Sequence, residues 1–204
     1  MFLASPITFP NLGIEINPSP VAFTVFGKDI YWYGIIIAAG FLLAVFYMLS
    51  RAKDFGVTQD DVLDMILWAA PIGVVCARLY YCIFYWELYA DDPISILYIW
   101  EGGLAIYGGI IGGFLFGGLA CKWRGVPVLP MFDLTAMGFL IGQGCGRWGN
   151  FFNQEAFGCN TTLPWGMYSE ATRNYLMGST VTAQKGVVID PNLPVHPTFL
   201  YESI

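Results

Sequence analysis

Apolar residues run unbroken from Ile30 to Leu49, IYWYGIIIAAGFLLAVFYML, and the run closes on Arg51 and Lys53. Crossing the ~30 Å hydrocarbon core of a bilayer takes ~20 such residues as a helix, so this segment predicts a membrane span. Three more follow: about 62–86, interrupted by Pro71 and Arg78; about 98–123, rich in glycine; and about 128–150, where the string GRWGNFFN closes it. Residues 151–195 change character. They are punctuated by Gly, Pro, Asn and Thr, too polar to span and too long for a turn, and they predict a small external subdomain with TTLPWGMY and KGVVID as candidate short strands. At 196–204, HPTFLYESI reads as the start of a further helix. The pattern predicts an all-α class: a polytopic transmembrane helix bundle, with its core in residues 1–150, carrying a small external subdomain.

Composition agrees, since 56% hydrophobic and 12% charged residues lie outside the range of ordinary soluble domains. The lipid bilayer is the expected partner. Lys and Arg in short loops collect on the cytoplasmic side; Arg51 and Lys53 mark the first loop and Lys122 and Arg124 the third. The second loop carries Glu87, Asp91 and Asp92 without a cation, so the N-terminus is predicted outside. Residues 1–27 contain no Lys or Arg, so the first span lacks the basic leader of a signal peptide and reads as retained. A net charge of −6 with no basic run excludes nucleic acid as a partner. Five cysteines without a C-x-x-C pair, and one histidine, suggest neither a disulfide framework nor a metal site; the cysteines read as small packing residues.

In the third span, Gly108 with Gly112, Gly109 with Gly113 and Gly113 with Gly117 stand four residues apart, the spacing that lets helix backbones approach closely in lipid. Polar residues inside the spans carry the functional argument, because an ionised side chain in hydrocarbon costs ~2.5 kcal/mol or more and normally faces a protein interior or cleft. Arg147 sits ~27 Å from the cytoplasmic start of its helix. Arg78, Glu101, Tyr107 and Tyr33 fall in the same outer layer by the same arithmetic. Two guanidinium groups, two phenols and a carboxylate at one depth suit an anionic lipid head group, since the planar fork of Arg donates two hydrogen bonds at once. Bland readings stand beside this one. Arg78 could snorkel or pair with Glu87 or Glu101, Glu101 could solvate a helix end, Tyr33 could belong to an interfacial aromatic belt, and Tyr107 could bond a neighbouring helix. Arg147 could pair with Glu155 or Asp133, and Asp133 fits a helix N-terminal charge.

Residues 146–158, GRWGNFFNQEAFG, resemble the signature G-R-x-G-N-F-x-N-x-E-x-x-G of prolipoprotein diacylglyceryl transferases at every fixed position. WYG at 32–34, EGGLAIYGGIIGG at 101–113 and HPTFLYES at 196–203 are similar to the same family. The resemblance implies an enzyme of the bacterial cytoplasmic membrane that moves the diacylglyceryl group of phosphatidylglycerol to the lipobox cysteine of a preprolipoprotein. The products are a thioether and glycerol phosphate, and no cofactor or metal is expected. By family pattern Arg147 contacts the lipid phosphate, with Asn150, Asn153, Glu155 and Gly158 shaping the site. Arg78, Tyr33 and His196 are further expected binding residues, with Arg78 helping to lower the thiol pKa as the lipobox enters. Arg147, Tyr107, Glu155 and Glu202 form the expected catalytic set. Some family members carry His at the position of Tyr107, so Tyr107 fits a hydrogen-bonding or positioning role. Glu155, Glu202 and His196 all remain open as the group that takes the thiol proton. The family has about seven spans, so the chain reads as a fragment that lacks a later, arginine-bearing helix.

Rival classes predict other patterns. A channel or transporter would distribute polar residues through the bilayer depth, whereas these gather in the outer half. An intramembrane protease would pair Ser with His, or two Asp, at matching depth; Asp133 stands alone. A noncatalytic scaffold would leave Arg147 paired and sealed from lipid.

Overall fold

The computed structural model describes residues 5–178 and 189–204. Among the described residues, four helices are long and apolar enough to cross a membrane: α1 (Trp32–Arg51), α2 (Gln59–Phe84), α3 (Ile106–Arg124) and α4 (Val128–Asn153). Large apolar side chains such as Leu42, Phe46, Ile83 and Leu115 stand exposed along them, a surface that water would not tolerate and lipid covers. The chain forms two compact units, Met1–Ala44 with Phe139–Ile204, and Val45–Gly138.

In the second unit, α2 opens on a capping box. The Thr58 hydroxyl accepts from the Asp61 amide, and the Asp61 carboxylate accepts from the Thr58 amide, satisfying two of the orphan N–H groups of the first turn. α2 and α3 then pack along the glycine face. A Cβ on Gly108 would strike Tyr80, Cys76 and Ala77, and one on Gly112 would strike Cys76, whereas Gly113 meets nothing within 4 Å. The close approach therefore uses Gly108 and Gly112, with Gly117 against Met65 and Ala69 further along. Ala52, Val62, Met65, Cys121, Met131 and Leu134 make a buried apolar core where the helices meet their connecting turns. Arg124 pairs with Asp64 beside it.

The third helix starts at Ile106, not near Tyr98 as the hydrophobic run predicts. Pro93 and the Asp92 cap favour short 3-10 turns over residues 86–101, and Gly102 and Gly103 then take φ of +93° and +71°. Those angles suit glycine and end helical propagation.

The first unit contains a feature the hydrophobic pattern did not predict. β1 (Ile7–Phe9) pairs antiparallel with β2 (Ile14–Ile16) and with β5 (Tyr168–Ser169), in the order β2-β1-β5. The candidate strand TTLPWGMY is thus strand only at its end, where Met167 also exchanges backbone hydrogen bonds with Val195. A second hairpin joins β3 (Val21–Val25) to β4 (Lys28–Tyr31). α5 (Glu170–Gly178) and α6 (Thr198–Ser203) complete the unit, around a core of Ile7, Phe151, Met167, Leu176, Val195 and Phe199. Most of KGVVID, residues 185–188, lies outside the described residues; Ile189 packs on this core.

Candidate functional site

The signature segment lies where α4 ends. The Gln154 amide bonds the Phe151 carbonyl at 3.1 Å and the Glu155 amide bonds the Asn150 carbonyl at 3.1 Å, the paired reverse bonds of a Schellman motif. Glycine normally takes its left-handed position, yet Gln154 does so here with φ +56°. Its side chain supplies the compensation. Gln154 is buried; its amide donates to the Ser5 carbonyl at 2.7 Å and its Oε1 accepts from the Ser5 hydroxyl at 2.9 Å. The segment leading into β1 is thereby fastened to the end of α4. Gln154 and Ser5 escaped the sequence reading; the signal was a residue of the motif that the family pattern leaves unspecified.

That turn folds the motif's polar groups onto one another. Asn150 and Asn153 both donate to Glu155 Oε1, at 3.2 and 3.0 Å. Asn150 Oδ1 accepts from the Arg147 guanidinium at 3.4 Å. Arg147 also pairs with Glu202 of α6, rather than with Glu155 or Asp133, because α6 returns HPTFLYES alongside α4. The Arg147 side chain keeps 29% of its surface exposed and Glu202 41%, so both remain reachable. Tyr33, second residue of α1, lies over Gly149, where a Cβ would sit 2.6 Å from its ring. Only glycine there admits the phenol.

Gly158 and His196 meet through their backbones. The Gly158 amide donates to the His196 carbonyl at 2.9 Å, the His196 amide donates to the Cys159 carbonyl at 3.0 Å, and a Cβ on Gly158 would lie 2.9 Å from that of His196. Trp165 donates from Nε1 to the Tyr201 hydroxyl at 2.7 Å, and that hydroxyl stands 3.0 Å from His196 Nδ1. Indole is a donor only, so the Tyr201 hydroxyl accepts from Trp165 and joins the indole to the imidazole.

In the second unit Arg78, expected to meet an anionic ligand, to snorkel, or to pair with Glu87 or Glu101, is only 5% exposed, and its guanidinium donates to the carbonyls of Ile96 (2.9 Å), Gly102 (2.6 Å), Gly103 (3.1 Å) and Ser95 (2.8 Å). Its Cζ lies 5.0 Å from the centre of the Tyr89 ring, within cation–π range. Burial pushes the Tyr89 phenol above its ordinary value, and the Arg78 charge opposes that rise. The Glu101 side chain lies outside the described residues. Tyr107, exposed at the start of α3, lines an aromatic cleft of about 400 Å³ with Tyr80, Tyr81, Phe84, Tyr85 and Ala105.

Residues 20–204 match the family model of prolipoprotein diacylglyceryl transferase. The chain is 43% identical over 184 residues to the phosphatidylglycerol--prolipoprotein diacylglyceryl transferase of Clostridioides difficile (strain 630), covering 90% of this chain and 66% of that protein. It is 41% identical over 197 residues to the protein of the same name from Limosilactobacillus reuteri (strain DSM 20016), covering 95% of this chain and 67% of the relative. A Bacillus cereus (strain B4264) relative, also so named, is 40% identical over 208 residues, covering all of this chain and 69% of its own length. The chain thus spans about two thirds of the length of the curated relatives it matches. The signature at the end of α4, the four apolar helices and this likeness along the chain place it in the prolipoprotein diacylglyceryl transferase family.

Proposed function

We propose that this chain takes part in transferring the diacylglyceryl group of phosphatidylglycerol to the cysteine thiol of a preprolipoprotein lipobox, at the bacterial cytoplasmic membrane with its N-terminus outside. The observation that carries the reading is Arg147: a partly exposed guanidinium beside the Asn150–Glu155–Asn153 cluster, paired with a carboxylate that an anion can replace. A lipid phosphate takes the place of Glu202 on the fork of Arg147. Glu202, released next to the substrate, accepts the thiol proton. The sulfur then bonds to the glyceryl carbon, the carbon–oxygen bond to phosphate breaks, and glycerol phosphate leaves with its added charge held by Arg147. Glu155 is occupied by two amide donors and acts as a positioning residue for Asn150 and Asn153. His196 holds Gly158 in place, and Tyr33 orients lipid from α1.

Full-length protein incubated with phosphatidylglycerol vesicles and a lipobox peptide should add a diacylglyceryl mass to the peptide's cysteine. A peptide with serine in that position should gain nothing. Failure of the cysteine peptide to gain mass would remove the transfer reading.

A further inference from the structure

The hairpin of β3 and β4 is amphipathic and uncovered. Its cross-strand pairs are Phe23 with Ile30, Thr24 with Asp29, and Val25 with Lys28. Facing residues share a side and successive residues alternate, so Phe23, Val25, Ile30 and Lys28 lie on one face, and Thr24 and Asp29 on the other. The polar face is internally satisfied, with the Thr24 hydroxyl donating to Asp29 Oδ1 at 2.7 Å. The apolar face is open among the described residues: every residue from Phe23 to Gly34 is exposed.

The turn is stranger still. Phe26 and Gly27 take φ of +49° and +76°, the two positive values of a type I′ turn, where Asn-Gly is the favoured pair. Phenylalanine bears a steric cost in that conformation, and here its ring is 102% exposed. A strained, fully solvated aromatic at a hairpin tip gains nothing within the unit. Its surroundings indicate what it meets. β4 ends at Tyr31 and α1 begins at Trp32, and the Trp32 amide bonds the Pro20 carbonyl at 2.9 Å, so the base of the hairpin is fixed to the end of a membrane-length helix. Four to five residues at ~3.4 Å each reach ~15 Å from that point, within the head-group and upper acyl layer. Tyr31, Trp32 and Tyr33 supply the aromatic residues typical of that boundary, and Lys28 on the apolar face can extend its amine to anionic head groups.

We propose that this hairpin is a membrane-interface anchor, with Phe26 and the Phe23–Val25–Ile30 face seated in the lipid leaflet at the N-terminal end of α1. The occupant is phospholipid, continuous with the lipid that covers α1.

The test places benzoylphenylalanine, a photoreactive near-isostere, at Phe26, Phe23 or Thr24 of full-length protein in phosphatidylethanolamine–phosphatidylglycerol vesicles. After irradiation, mass spectrometry should find phospholipid adducts from the probes at 26 and 23 and their loss at 24. Adducts to a second copy or to another part of the same chain, equal labelling from 24, or no adduct at 26 would overturn the anchor. Phe26→Asn, which suits the turn and so preserves the hairpin, should reduce lipid labelling from a probe at 23; undiminished labelling would show that the tip holds nothing.

Discussion

Arg78 and Arg147 are the same side chain in two apolar helices, and the structure uses them in opposite ways. Arg78 is buried beneath the loop between α2 and α3 and gives its donors to four carbonyls, two within that loop's 3-10 turns and two just after them. A desolvated cation is tolerable only when its hydrogen-bonding capacity is met, and four backbone dipoles serve that need here. Arg147 stands at the end of α4, where terminal carbonyls favour positive charge. It is bound by one side-chain carboxylate and one amide oxygen, both part-exposed. Carbonyls fixed in a loop cannot be exchanged for substrate; a carboxylate on a short helix can. An intramembrane arginine is therefore a functional candidate only once its partners are known.

The comparison breaks most readily at Arg78. Arg78→Met leaves four carbonyls without their donor and should cost about 3–5 kcal/mol, seen as a lower melting temperature of the full-length protein in detergent. An unchanged melting temperature with lost transfer would mean that Arg78 serves substrate after all. Arg147→Lys keeps the charge but loses the two-pronged geometry, and should lower the transfer rate by about 10²–10³-fold, or roughly 3–4 kcal/mol, at an unchanged melting temperature. Near-normal turnover would take Arg147 out of the mechanism. The smallest effect is expected from Gly158→Ala. Its methyl group would press on His196 Cβ and Thr198 Cγ2, an overpacking of about 1–3 kcal/mol that displaces the segment leading to Glu202. Transfer should fall less than with Arg147→Lys, and a wild-type rate would show that this segment has room to yield.

The helices were legible because hydrocarbon imposes one strong rule, a run of apolar residues long enough to cross. α1 could be read almost to the residue. The start of α3 could not, since the apolar run continues through Tyr98–Trp100 and only the glycine torsions and the Arg78 bonds show where the helix breaks. The N-terminal sheet was missed for a different reason. Its strands have two or three residues, and β1 is completed by β5 from the far end of the chain, a pairing no local periodicity encodes. The turns Asn11–Gly13 and Phe26–Gly27 were the available signs.

Of the candidate site, residue types and their neighbourhood in the signature were readable, and partner choice was not. The order of amino acids alone determined that the chain is built for lipid, that glycine would bring two helices together, and that a cation would stand at the end of α4. Tertiary structure decided that Glu202 rather than Glu155 pairs with Arg147, that Tyr201 joins Trp165 to His196, and that Arg78 donates to the carbonyls of a loop. The division is physical. Burial in a bilayer acts on average composition and leaves its mark on every turn of a helix, whereas a hydrogen bond depends on positions within a few tenths of an ångström, which exist only after distant segments have packed.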